Sequence, residues 1–239
     1  MPVHAQAASA TPRPRGGIVG ILKLAFSNFL AAVLLFLTAG TIRWVWGWVY
    51  LALVFAVVGF YSRTLLTLHP DLIVERQRPP AGAKAWDRPL VAIVAVVGPV
   101  ALLVLAGLDR RLGLSSPVAT GWHVAGLAMV AAGGAITNWA IVHNRFFSGL
   151  VRIQHERGHV VVSSGPYATV RHPGYSGAIL HTLGTALALG SWWSLAIAVP
   201  VVVAICVRTA LEDRTLRAEL EGYEEYALRV RSRLVPGLW

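Results

Sequence analysis

Four stretches of this chain, 18–40, 44–66, 90–108 and 121–143, each run for about twenty residues with almost no charge. A helix of roughly 20 apolar residues crosses the hydrocarbon core of a bilayer, because it pairs its backbone polar groups within itself. The pattern predicts an all-α fold, a polytopic helical membrane protein. Composition agrees: 56% of residues are hydrophobic and 13% charged, about half the charged fraction of an ordinary soluble domain. Trp44, Trp46, Trp48 and Tyr50 cluster at the start of the second run, as aromatic side chains do at a membrane–water interface.

Two shorter apolar runs, 177–190 and 192–207, read as a helical hairpin turning at 191–192; a single broken helix is the alternative. That makes about five to six transmembrane helices. The charged stretch 208–231 is expected to be helical. The expected organisation is a flexible tail over 1–17, a four-helix membrane region over 18–143, and a third region over 144–239. Residues 1–17 are polar and rich in Pro and Gly, unlike a cleavable signal.

Positively charged side chains stay on the cytoplasmic side of a membrane. With six crossings and an inside N-terminus, eighteen of the 21 Lys and Arg residues fall inside, and only Arg43, Arg110 and Arg111 fall outside. Both termini and the polar segment 144–176 are therefore expected in the cytoplasm. The net charge of +10 reflects this bias and anionic lipid, not nucleic acid. Cys206 lies in an apolar run as a packing residue, and no Cys/His set has the spacing of a metal site.

Between the apolar runs stands "GPYATVRHPGYSG" (165–177). Pro166 and Pro173 remove amide donors, His172 precedes a proline, and Gly165, Gly174 and Gly177 permit close backbone approach. The expected structure is a shaped loop carrying aromatic and cationic side chains. The plain reading is a helix connection with interfacial anchors. Further on, Arg208 and Glu212 are spaced i,i+4 on one helix face. They can form a surface ion pair; at the end of a membrane span, ionisable groups also mark a wet functional cavity.

Together, "HVVVSSGPYATVRHPGYSG" (159–177) and "RTALEDRTLRAELEGYEEYALRVRSRLVP" (208–236) resemble the isoprenylcysteine carboxyl methyltransferase and phospholipid N-methyltransferase superfamily. The family pattern reads H-x-x-V-x-x-G-x-Y-x-x-x-R-H-P-x-Y-x-G. After a hydrophobic hairpin it continues R-x-x-x-E-E-x-x-L and then a Gly/Tyr segment. Asp213 replaces the second Glu, and Gly222-Tyr223 departs from the usual aromatic–Gly order. The connecting segment "HPDLIVERQRP" (69–79) is similar to one in bacterial relatives, so the expected location is a bacterial inner membrane.

The resemblance implies S-adenosyl-L-methionine as methyl donor. It implies donor binding by Gln154, His159, Val160, Val161, Val162, Gly165, Tyr167, His172, Pro173, Tyr175 and Glu212, and catalytic roles for Arg208 and Glu212. The other implied partner is a lipophilic methyl acceptor entering from the bilayer. A carboxylate acceptor needs no general base, and Arg208 would orient it by a bidentate contact. An amine acceptor must lose a proton, and His172 or Glu212 would take it. Prenylated cysteine, an aminophospholipid, an isoprenoid and a small hydrophobic xenobiotic all fit the motif. Rival readings are a membrane sterol-type reductase using a nicotinamide cofactor and a non-enzymatic membrane protein. His181 reads as a packing histidine or a tunnel residue, and Gly133 and Gly134 as a close-packing face.

Overall fold

The computed structural model describes residues 15–76 and 82–239. The tail expected over 1–17 lies outside these residues, apart from 15–17, which open the first helix. Every regular element among the described residues is helical. In order they are α1 (Arg15–Ala39), α2 (Val45–Leu68), α3 (Pro70–Glu75), α4 (Asp87–Ala92), α5 (Gly98–Leu112), α6 (Thr120–His143), α7 (Pro173–Ala188), α8 (Trp192–Glu219) and α9 (Tyr223–Arg229). Among the described residues four units are long and apolar enough to cross a membrane: α2, α4 continued through α5, α6 and α8. Helix α1 has 25 residues and α7 has 16. Phe26, Phe29 and Leu37 of α1 and Phe55 and Phe60 of α2 face outward, as lipid-facing side chains do.

Helices α4 and α5 are joined by a π turn over Ile93–Val97, in which the Gly98 amide donates to the Ile93 carbonyl. The reason is local. Pro99 has no amide for the carbonyl four residues back, and widening the preceding turn keeps the helix continuous. A Cβ on Gly98 would stand 2.6 Å from the Val201 side chain, so α5 lies directly on α8.

The closest pair is α6 with α7. A Cβ at Gly126 would lie 2.2 Å from the Ala188 amide nitrogen; one at Gly133 would lie 2.5 Å from the Gly177 carbonyl. The partners run in opposite order, so the helices are antiparallel with their backbones in contact, as small residues permit in membranes. Gly134 faces Val57 of α2. The small-residue face thus packs within the chain.

The last hairpin consists of two helices. Gly190, at φ +67°, turns the chain, and the Ser191 hydroxyl caps α8 by accepting the Ser194 amide at 3.0 Å. At this end of the bundle Asp109 is buried and accepts from the Ser115 amide at 2.7 Å and hydroxyl at 2.6 Å, and from the Ser191 hydroxyl at 2.5 Å. These bonds tie the end of α5 to the α7–α8 turn. Helix α8 does not change at the apolar-to-charged boundary near Val207. It runs on to Glu219, and the break falls at Gly222, whose φ is +77°.

Candidate active site

At the other end of the bundle, the connection 144–172 folds back on itself over a few side chains. The Asn144 carbonyl oxygen accepts the Phe146 amide at 2.8 Å, and its NH2 donates to the Tyr167 hydroxyl at 3.1 Å. Gln154, 1% exposed, donates from Nε2 to the Phe146 carbonyl at 2.8 Å and accepts a guanidinium N–H of Arg157. The His159 ring lies on Phe146 with centroids 4.5 Å apart, and its Nδ1 accepts the Gln154 amide at 3.3 Å. Tyr226 of α9 closes the segment by donating its hydroxyl to the Tyr167 carbonyl at 2.7 Å.

The second half of 165–177 is helical, not loop. Pro173 is the first residue of α7, the position where a missing amide and fixed φ favour helix entry. Just before it, the amides of Arg171 and His172 donate to the Ser232 and Arg233 carbonyls at 3.0 and 2.9 Å. The C-terminal segment is thereby laid along the start of α7.

Asp213 anchors this arrangement. Its carboxylate, fully buried, accepts from Arg171 Nε at 2.7 Å and Nη2 at 3.1 Å, the Tyr223 hydroxyl at 3.1 Å, and Arg233 Nε at 3.0 Å. His172 Nε2 lies 3.2 Å from the same carboxylate. A position that the motif presented as a simple exchange of Glu for Asp is thus the hub that joins α7, α8, α9 and the C-terminal segment.

Between the 144–172 segment, α7 and α8 lies a cavity of about 320 Å³, within the range of small-molecule sites. Among the expected site residues, Gln154, His159, Val160, Val161, Val162, Tyr167, His172, Tyr175, Arg208 and Glu212 line it. Gly165 and Pro173 do not. Gly165, at φ +57°, holds the turn against His143, whose ring would be 2.5 Å from a Cβ there. Gln154 lines the cavity while its amide is spent on Phe146 and Arg157. His143, Arg145 and His181 are not among the lining residues, whereas Asn144 is.

The expected ion pair between Arg208 and Glu212 is not formed. Arg208 turns instead to Asp87 at the start of α4, donating Nε to Oδ1 at 2.6 Å and Nη2 to Oδ2 at 3.0 Å. Nη2 also reaches the Gly149 carbonyl at 3.0 Å, and Asp87 Oδ2 accepts the Val151 amide at 2.7 Å. Glu212 Oε2 accepts the Tyr175 hydroxyl. The reason is depth: a guanidinium buried at the end of a span needs a carboxylate that is equally buried, and Asp87, 0% exposed, supplies it. The bidentate edge of Arg208 is therefore occupied, and Nη1 is the corner of the guanidinium left over. One face of Tyr175 is also taken, by the Arg208 guanidinium 5.2 Å from the ring centroid.

Residues 122–220 match the family model described as phospholipid methyltransferase. The chain is 36% identical over 118 residues to a probable protein-S-isoprenylcysteine O-methyltransferase of Oryza sativa subsp. indica, covering 47% of this chain and 62% of that protein. It is 36% identical over 110 residues to protein-S-isoprenylcysteine O-methyltransferase B of Arabidopsis thaliana, covering 45% and 56%. Over 114 residues it is 29% identical to protein-S-isoprenylcysteine O-methyltransferase of Schizosaccharomyces pombe, covering 46% and 48%. Over its C-terminal half the chain is thus similar to the isoprenylcysteine carboxyl and phospholipid methyltransferases. The matches span at most about three-fifths of these relatives' lengths. The matched segment 122–220 runs from α6 through α8 and carries most of the cavity wall. Tyr61, Arg76, Tyr223 and Tyr226 line the cavity from outside it.

Asp87, Tyr61 and the stretch 146–152 carry no motif, Arg76 lies in the connecting segment 69–79, and none of them is in the sequence-based set of site residues. Asp87 leaves only a weak signal, a carboxylate directly ahead of an apolar run, because Lys84 and Arg88 stand beside it in sequence as nearer partners.

Burial, reinforced by Arg157 and His155, pulls the His159 pKa down to about 4. The neutral ring that this implies is the one whose Nδ1 can accept the Gln154 amide. The unfolded chain binds that proton near pH 6.5. His159 therefore contributes full stability above pH 6.5 and loses it as pH falls towards 4. In detergent, the melting temperature is expected to drop over this interval, and less steeply for His159→Phe, which keeps a ring on Phe146 but cannot titrate.

Proposed function

We propose that the chain is an S-adenosylmethionine-dependent methyltransferase that esterifies a carboxylate on a lipophilic acceptor, with 144–239 as its catalytic region. One observation carries the reading. Two motifs separated by a membrane hairpin converge on one cavity, at the end of the bundle where helices give way to polar chain. The rival non-enzymatic reading gives no account of that convergence.

The residues present suit the donor. Glu212 is the cavity's one carboxylate and has no cationic partner among the described residues, so it is available to an ammonium or to ribose hydroxyls. Val160, Val161 and Val162 offer an apolar edge, and the Tyr175 and His172 rings stack 5.8 Å apart beside Glu212. When bound, the donor would supply an electrophilic methyl group on a sulfonium, which a carboxylate acceptor could take without giving up a proton.

The chain's own part is positioning and exclusion of water. Asp87 fixes the Arg208 guanidinium, which in turn presents Nη1 to the acceptor. The Asp213 hub holds His172 and closes the C-terminal segment over the start of α7. His172 Nε2 is held between Asp213 and the Tyr223 hydroxyl, an arrangement that suits a scaffold better than a general base. Should the acceptor be an amine, Glu212 is the group placed to receive its proton.

The test is transfer of a labelled methyl group from S-adenosylmethionine to an S-prenylated N-acetylcysteine in detergent micelles. The expected product releases its label as methanol in base, as an ester does. A base-stable product on an aminophospholipid would transfer the reading to amine methylation, and no labelled lipid with either acceptor would refute it.

A further inference from the structure

The charges around the cavity do not balance locally. Among the described residues four arginines line it, and three are neutralised: Arg152 by Glu75 and Glu156, Arg171 by Asp213, and Arg208 by Asp87. Arg76, which follows α3, makes no ion pair, although all eleven carboxylate side chains of the chain lie among the described residues. It donates instead to neutral groups, the Tyr61 hydroxyl and, from Nη2 at 2.9 Å, the Phe147 carbonyl. Its guanidinium carbon lies 5.7 Å from the centroids of both the Tyr61 and Phe147 rings. Its Nε is buried without an acceptor. A full positive charge is thus held between two rings in a cavity wall, with no counter-charge from the protein.

Arg76 and Arg208 grip the same strip of chain. One bonds the Phe147 carbonyl and the other the Gly149 carbonyl. The Cα atoms of those residues are at most about 7 Å apart, so both guanidinia flank one short edge of the cavity. Only Arg76 brings net charge to it.

We propose that Arg76, set by Tyr61, is the carboxylate-recognition residue for the methyl acceptor; this rests on the methyltransferase reading above. The donor has a carboxylate too, but a residue serving the donor belongs in the segment 122–220 that the chain shares with phospholipid methyltransferases, and Arg76 and Tyr61 both precede it. The assignment also accounts for release. Methylation turns the anionic carboxylate into a neutral ester, so the charge-assisted contact with Arg76 holds the substrate and is lost in the product.

The test measures dissociation constants in detergent for an S-prenylated N-acetylcysteine, its primary amide and S-adenosylhomocysteine, using wild type, Arg76→Gln and Arg76→Lys. Arg76→Gln is expected to weaken the acid by about tenfold or more and to leave the amide and S-adenosylhomocysteine within about twofold; Arg76→Lys recovers part of the loss. Unchanged S-adenosylhomocysteine affinity also shows that the variant is folded. Equal weakening of acid and amide overturns the proposal, as does weakening confined to S-adenosylhomocysteine, or a wild type that does not prefer the acid. A wild type that binds S-adenosylhomocysteine but not the acid overturns it while leaving the donor site standing. A wild type that binds no S-adenosylhomocysteine removes the methyltransferase reading and the subsite with it.

Discussion

Asp213→Ala is expected to destabilise the protein by about 3–5 kcal/mol, the cost of leaving a buried charge without its partner. The carboxylate is fully buried and neutralises Arg171, itself 4% exposed. Its loss strands that guanidinium together with the Tyr223 hydroxyl and Arg233. The effect spreads because Arg171 Nη1 also donates to the Val230 and Arg231 carbonyls at 2.6 and 2.8 Å. An Arg171 released from Asp213 no longer aims at those carbonyls, and the C-terminal segment loosens. The measurement is the melting temperature in detergent beside limited proteolysis of the C-terminus. Asp213→Asn, which keeps one acceptor oxygen, should fall between wild type and Ala. A melting temperature unchanged in Asp213→Ala would mean that the hub does not hold the C-terminal segment in place.

A comparable loss, again about 3–5 kcal/mol, is expected for Asp87→Ala. This change strips Arg208 of both carboxylate contacts and the Val151 amide of its acceptor. The pair also offers a cleaner experiment. Removing both members with an apolar replacement, Asp87→Ala with Arg208→Leu, leaves no unpaired charge and should restore much of the lost stability. On the role proposed for Arg208, activity should stay lost. The coupling in this double-mutant cycle separates the structural work of the pair from its catalytic work. Single and double variants of equal stability would mean that the ion pair contributes nothing to the fold.

The sequence exposed one wall of the site and concealed the other for physical reasons. Residues 159–177 and 212 are legible because glycine, proline and tyrosine at fixed spacing restrict a backbone locally; His159, Val160, Val161, Val162, Tyr167, His172, Tyr175 and Glu212 line one cavity, and Gly165 and Pro173 do not. Asp87 is separated from Arg208 by 121 positions, and pairing across a fold leaves no local periodicity. Helix spacing made Glu212 the natural partner of Arg208, yet spacing describes only nearness along one helix. Burial decided otherwise, because Asp87 is enclosed where Arg208 is enclosed. The apolar runs 44–66, 90–108 and 121–143 were legible and fall in helices long enough to cross a membrane. The end of α8 was not, because a change from apolar to charged side chains leaves backbone hydrogen bonding intact; Gly222, with its positive φ, ends the helical stretch instead. The segment 145–158 gave little signal, since its fold rests on side chains capping its own backbone, as Asn144 and Gln154 do.

The central claim is that the cavity between 144–172, α7 and α8 holds S-adenosylmethionine, with Glu212 as its anionic contact. Calorimetric titration of the detergent-purified protein with S-adenosylhomocysteine, wild type beside Glu212→Ala, tests it most directly. The account predicts saturable one-site binding to wild type and a loss of about tenfold or more in the variant, the scale of a charge-assisted hydrogen bond. Well-folded wild type that shows no binding at millimolar ligand, or a variant that binds as tightly as wild type, would contradict it.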